Sequence, residues 1–115
     1  MNLLDTDSII ELLQKRKHEV GAISTITLIE VLRRLDAKKR AKAKELLEES
    51  FNIQIIDNKI IETYCSLYQK LRNESVQIPD ADLLIAATAI SNNMTLKTGD
   101  KHFERLKTYG LKVTT

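Results

Sequence analysis

Five carboxylates stand at the turning points of this chain. Asp5 follows the short apolar run Asn2–Leu4, and Glu30 lies near the start of a helical stripe. Asp80 and Asp82 open the Ala-rich stretch Leu83–Ile90, and Asp100 follows Thr95–Thr98. Carboxylates gathered on one edge repel, and without compensation some hold a proton at neutral pH. A hard divalent cation with oxygen ligands resolves that conflict, and Mg2+ or Mn2+ fits best. With such an ion present, the acids position and deprotonate a water while the metal neutralises a phosphate under attack. Phosphodiester hydrolysis is the natural chemistry. Helix N-termini on the same edge attract the phosphate further.

Each acid also has a plainer reading. Asp and Glu satisfy the free N–H groups of helix starts and complement the dipole there. Thr27-Leu28-Ile29-Glu30 reads as a capping box, and Asp80, directly after Pro79, reads first as an N-cap. Asp100 suits the same role, and Asp57 simply caps the helix that follows it. Asp5 is harder to explain this way, because a charge directly after an apolar strand must sit near the end of the sheet. The agreement of all five on one edge is what carries the chemical reading.

Apolar periodicity supplies the elements that position them. Asn2–Leu4 reads as a first strand, followed by a helix with Ile9, Ile10 and Leu13 inward. Val20–Ser24 reads as a second strand. Leu28, Val31, Leu32 and Leu35 then form the i, i+3, i+4, i+7 stripe of an amphipathic helix. A helix from Ala37 to about Ser50 buries only Ala43, Leu46 and Leu47. Phe51–Ile56 reads as a third strand, and the next helix places Ile60, Tyr64, Leu67, Tyr68 and Leu71 on one face. The Ala-rich segment is apolar all round, as a helix buried on most sides would be. Thr95–Thr98 is a fourth strand, Asp100–Tyr109 a short helix and Lys112–Thr114 an edge strand. Strands alternating with helices predict an α/β fold, a three-layer α/β/α arrangement around a central parallel sheet of four to five short strands. In such sheets ligands bind beyond the carboxyl ends of the strands, where the acids fall.

The 115 residues, 43% hydrophobic and 30% charged, fit one domain over 1–115 and exclude a disordered or collagen-like chain. No apolar run is long enough to span a bilayer, and the start MNLLDTD lacks the pattern of a signal peptide, so the expected location is the cytoplasm. One cysteine, Cys65, excludes an internal disulfide and a Cys-based zinc site, and it reads as a small buried hydrophobe. The net charge of +2 is segregated. Between Gln14 and Lys44 ten basic residues face three acids, giving +7 there and −5 elsewhere. Such asymmetry suits a polyanionic partner.

Four segments in order resemble a PIN domain, and within that superfamily the toxin ribonucleases of VapBC toxin–antitoxin pairs. They are Leu3-Leu4-Asp5-Thr6-Asp7, Ser24-Thr25-Ile26-Thr27-Leu28-Ile29-Glu30, Asp82-Leu83-Leu84-Ile85-Ala86-Ala87-Thr88-Ala89 and Leu96-Lys97-Thr98-Gly99-Asp100-Lys101-His102-Phe103. By position the resemblance puts the family's acidic quartet on Asp5, Glu30, Asp82 and Asp100. It makes Asp5 and Asp82 the direct metal ligands, with Glu30 and Asp100 binding a second metal or metal-bound waters. Thr6 and Thr98 match polar positions beside the site, and Asp80 stands close by in sequence. Asp7 departs from the Asn common there, so it either tightens metal binding or caps the first helix. The resemblance implies a Mg2+-dependent endoribonuclease, with Mn2+ able to substitute, forming a homodimer held inactive by a small cognate antitoxin. PIN nucleases of RNA processing or decay, without an antitoxin, are the alternative.

The basic residues Arg33, Arg34, Lys38, Lys39, Arg40, Lys42 and Lys44 suit phosphate contacts with RNA, although those from Lys38 onward spread around the helix as a solvated face would. His102 reads as a packing residue, and Tyr64 and Tyr68 as core. Two other functions compete. Asp5-Thr6-Asp7 resembles the start of a haloacid dehalogenase-type phosphatase, with Asp5 as nucleophile, but the chain is short and no Lys lies in an obvious third-motif position before the final acids. A receiver-like signalling domain would use Asp57, but it prefers adjacent acids after the first strand.

Overall fold

A computed structural model describes residues Met1–Thr115. Five short strands form one sheet: β1 (Asn2–Leu4), β2 (Ala22–Ser24), β3 (Asn52–Gln54), β4 (Thr95–Lys97) and β5 (Lys112–Thr114). All neighbours are parallel, and the spatial order is β3-β2-β1-β4-β5. The helices are α1 (Thr6–Gln14), α2 (Thr25–Leu32), α3 (Ala37–Ser50), α4 (Asn58–Asn73) and α5 (Asp80–Ser91). A run of 3-10 turns spans Lys101–Tyr109 and ends at Gly110, whose φ of 100° is left-handed.

Successive strand residues point to opposite faces, and the core divides accordingly. Leu3, Ala22 and Leu96 pack on one side with Ile60, Leu67 and Leu71 of α4, Leu83 to Ala89 of α5, and Phe103 and Leu106. Leu4 and Ile23 pack on the other with Ile9 of α1, Leu28, Val31 and Leu32 of α2, and Leu47 of α3. These are the expected three layers, with five strands.

The boundaries are tighter than hydropathy suggests. Val20 is exposed ahead of β2, and Ile55 is exposed beyond β3. Leu35 lies past the end of α2, and Leu13 and Leu46 stand out in solvent rather than in the core. Cys65 is exposed, contrary to the buried reading, because it lies about 140° around α4 from Ile60 at 100° per residue. Tyr68 is exposed for the same reason, about 80° from that stripe. The long apolar α5 is buried as expected from Leu83 to Ala89, except for half-exposed Leu84. No helix is long and apolar enough to cross a membrane.

β1 must lie against β2 on one side and β4 on the other, and Gly21 makes the first contact possible. A Cβ at Gly21 would stand 2.3 Å from Leu4 Cδ1 and 3.1 Å from the Asn2 carbonyl oxygen. Leu4 is wholly buried and has nowhere to move. Gly21→Ala should therefore cost about 1–3 kcal/mol, as overpacking of a tight interior does, and a thermal melt measures it.

Candidate active site

The chain runs from β1 to β2 and β3 on one side of the sheet, then returns to place β4 on the other side of β1. The carboxyl ends of β1 and β4 therefore form the point where strand order reverses and a crevice opens. Asp5 follows β1 and Thr98 follows β4. The Asp5 backbone N–H donates to the Lys97 carbonyl at 3.1 Å, carrying the strand pairing to the lip of that crevice.

Asp5 is 5% exposed. Its Oδ1 caps α1 by accepting from the Ser8 N–H at 2.9 Å, and its Oδ2 accepts from the Thr98 hydroxyl at 2.5 Å. Thr98 Oγ1 in turn accepts from the Asp100 N–H at 3.0 Å. Asp100 caps the 3-10 run through the His102 N–H at 3.1 Å. The His102 ring, stacked on Phe103, places Nδ1 2.7 Å from Asp100 Oδ1 and Nε2 3.1 Å from Asp82 Oδ2. Nε2 is out of line for a hydrogen bond there, so it is a buried nitrogen with no hydrogen-bond partner. Asp5, Thr98, Asp100, His102 and Asp82 thus form one continuous chain of contacts.

Glu30 approaches from α2, outside this chain of contacts, and its charge acts on Asp82. The capping box expected at Thr27–Glu30 is not formed, because the helix starts one turn earlier: Ser24 is the N-cap, and its hydroxyl accepts from the Thr27 N–H at 3.1 Å. Glu30 is consequently in the second turn and free of capping duty. Its Oε1 accepts from the Thr6 hydroxyl at 2.5 Å, and Thr6 Oγ1 lies 3.2 Å from the buried Thr27 hydroxyl. Arg33, one turn on, stands 3.7 Å from Glu30 Oε2.

Burial holds the Asp82 carboxyl above its ordinary value. The His102 charge lowers it, but Glu30 and Asp100 raise it again. Glu30, Asp82 and Asp100 therefore share one electrostatic environment.

The remaining expectations divide. Thr6 and Thr98 donate hydrogen bonds to Glu30 and Asp5 respectively. Asp80 does not cap α5, whose N-cap is Pro79. Its Oδ1 accepts from the Tyr64 hydroxyl at 2.6 Å, and that bond pushes the Tyr64 phenol up to about 12. Asp7 is exposed in the first turn of α1, where Asp5 already caps. With Ser8, Glu11, Gly99, Asp100 and Lys101 it lines an open polar cleft of about 370 Å3. A larger concavity, about 820 Å3, runs under the α4–α5 connection and touches none of the four acids. Asp57 caps α4 through the Ile60 N–H at 2.9 Å, as read. The bridging position of His102 was missed. Its one trace in the sequence is the Asp100-Lys101-His102 spacing.

No three His, Cys, Asp or Glu side chains converge tightly enough to enclose an ion by themselves. The donor set still suits Mg2+, which keeps several waters and is held by one or two carboxylates.

The PIN-domain family model matches residues 3–109. The chain is 42% identical over 115 residues to ribonuclease VapC1 of Methanocaldococcus jannaschii, covering 96% of this chain and 85% of that one. The fold superposes on VapBC-1 of nontypeable Haemophilus influenzae with a TM-score of 0.84 at 26% identity, covering 98% and 96% of the two chains. VapBC-5 of Mycobacterium tuberculosis, a member of the VapBC family of toxin–antitoxin systems, matches with a TM-score of 0.70 at 25% identity, covering 98% and 94%.

Asp82 binds its proton more tightly folded than unfolded, so its ionisation lowers stability as pH rises through its raised range. In EDTA at neutral pH, Asp82→Asn should melt at a higher temperature than the wild type. The gain should vanish at a pH below the ordinary carboxylate range, where Asp82 is neutral in both states. Melts across pH check both.

Proposed function

The chain belongs to the PIN-domain family, and on that premise we propose that it is a metal-dependent endoribonuclease, the toxin of a toxin–antitoxin pair neutralised by a small cognate antitoxin. One observation supports this reading above the others. Asp5, Asp82 and Asp100 are linked through Thr98 and His102 at the reversal point of the sheet, and Glu30 acts on the same Asp82 charge. The relatives add the substrate and the partner, since one is named a ribonuclease and another a toxin–antitoxin system. The active form is a single PIN domain over 1–115, a homodimer in the cytoplasm.

Asp5 and Asp82 hold the ion, Mg2+ by its preference for carboxylates and water, with Mn2+ able to replace it. When bound, that ion supplies a water of lowered pKa and neutralises charge on the attacked phosphate. The protein's own groups do the rest. Thr98 fixes Asp5 in one rotamer by its 2.5 Å bond to Oδ2. Thr6 fixes Glu30 through Oε1 and leaves Oε2, which accepts no hydrogen bond within the protein, to take a proton from the attacking water. His102, itself held by Asp100, lies against Asp82, and Asp100 steadies waters that bridge to the substrate.

Cleavage of a labelled RNA pool tests this. Mg2+ or Mn2+ should support cutting, EDTA should abolish it, and the Asp5→Asn/Asp82→Asn variant should be inactive. Cutting that persists in that variant would overturn the assignment, as would hydrolysis of a simple phosphate ester in its place. Thr98→Val removes only the hydroxyl that orients Asp5. It should weaken metal binding about 10–100-fold by calorimetry, the usual cost of losing a partner behind a ligand.

A further inference from the structure

α3 carries its charges against its own dipole. Lys38, Lys39, Arg40 and Lys42 fill the N-terminal half, Lys44 stands just past the middle, and Glu45, Glu48 and Glu49 occupy the rest of the C-terminal half. The first turn has no acid and the last turn no base. Cations at the positive end of a helix and anions at the negative end are both unfavourable. The helix gives the core little in return, since Leu47 is its one buried residue. Of the five cations only Lys44 is paired, to Glu48 at 2.8 Å, whereas Lys38, Lys39, Arg40 and Lys42 are exposed and make no ion pair. Such an arrangement reads as stability given up for function.

The cluster continues from the active site. Arg33 and Arg34 follow α2, the helix that brings Glu30 to the acids, and Asp36 then caps α3 through the Lys39 N–H. The Arg33 guanidinium, 65% exposed, is the one permanently charged cation within 4 Å of the acidic quartet. The side chains wrap around the helix, and no aromatic lies among them. That suits a flexible polyanion held by its phosphates rather than a flat protein surface or stacked bases.

We propose that Arg33, Arg34 and the N-terminal half of α3 form a track that binds the RNA backbone to one side of the scissile phosphate, independently of sequence. This rests on the ribonuclease reading above and deepens it. Arg33 starts the track at Glu30, and Lys38, Arg40 and Lys42 extend it outward. A cost in fold stability and a gain in substrate affinity are then two consequences of the same charges.

The test is fluorescence anisotropy of a labelled single-stranded RNA of mixed sequence, in EDTA, across a range of KCl. A Lys38→Ala/Arg40→Ala/Lys42→Ala variant is compared with a control of equal charge loss, Lys59→Ala/Arg72→Ala/Arg105→Ala, at exposed unpaired positions elsewhere. Each phosphate contact on a single strand contributes about 0.7 to the slope of log affinity against log salt. The α3 variant should therefore lose about 2 from that slope and bind at least about tenfold more weakly at low salt. The control should stay near wild type. The same α3 variant should melt at a higher temperature, because cations leave the positive end of a helix. An unchanged slope, or an equal loss in the control, overturns the track while leaving the ribonuclease reading in place. A lower melting temperature overturns it too, by giving the cations a structural role. Wild-type protein that neither binds nor cuts RNA removes both readings together.

Discussion

The hydroxyl of Thr98 on the carboxylate of Asp5 joins residues 93 apart in sequence at the ends of two adjacent strands. The candidate site is built around that junction. It exists because β1 sits between β2 and β4, so the chain must reverse its direction of winding across β1. Leu3 and Leu4 lock the strand into both halves of the core, and Leu96 does the same for β4 on one face. With those strands fixed, the residues that follow them have no choice of position. A nearly buried carboxylate then needs donors, and the Ser8 N–H and Thr98 hydroxyl supply them.

From that junction the remaining acids are placed by short local rules. Asp100 caps the 3-10 run and Asp5 caps α1, so a helix-start role and a place in the acidic site coincide in the same side chains. Capping and chemistry are not competing explanations there. Both follow from helix N-termini meeting the carboxyl edge of a parallel sheet. Glu30 is the exception. With Ser24 as cap, nothing in α2 requires an acid at this position, and its carboxylate turns to Thr6 instead.

The protein carries charge at local expense in two places. Asp82 is kept in a partly buried setting with other acids, and the N-terminal half of α3 gathers cations where the dipole opposes them. The two clusters have opposite sign and meet at Glu30 and Arg33. An acidic centre flanked by a basic surface is the electrostatic form that the proposed cleavage of a long polyanion requires.

Much of this was legible in the sequence. Alternating apolar runs determined the parallel three-layer fold, the wholly apolar circumference of Leu83–Ile90 determined a buried helix, and Asp or Glu at the junctions determined which residues share an edge. Those features depend on periodicity and neighbours a few residues away. Whether a side chain at the rim of a stripe is covered depends on how neighbouring elements pack, and so Leu13, Leu46, Tyr68 and Cys65 proved exposed. The same holds for the acids. Asp80 goes to Tyr64 and Asp82 to His102 although they are two residues apart, because successive helix positions differ by about 100° and meet different partners. Sequence determined that acids would gather; only the packing of α4, α5 and the 3-10 run decided which of them face one another.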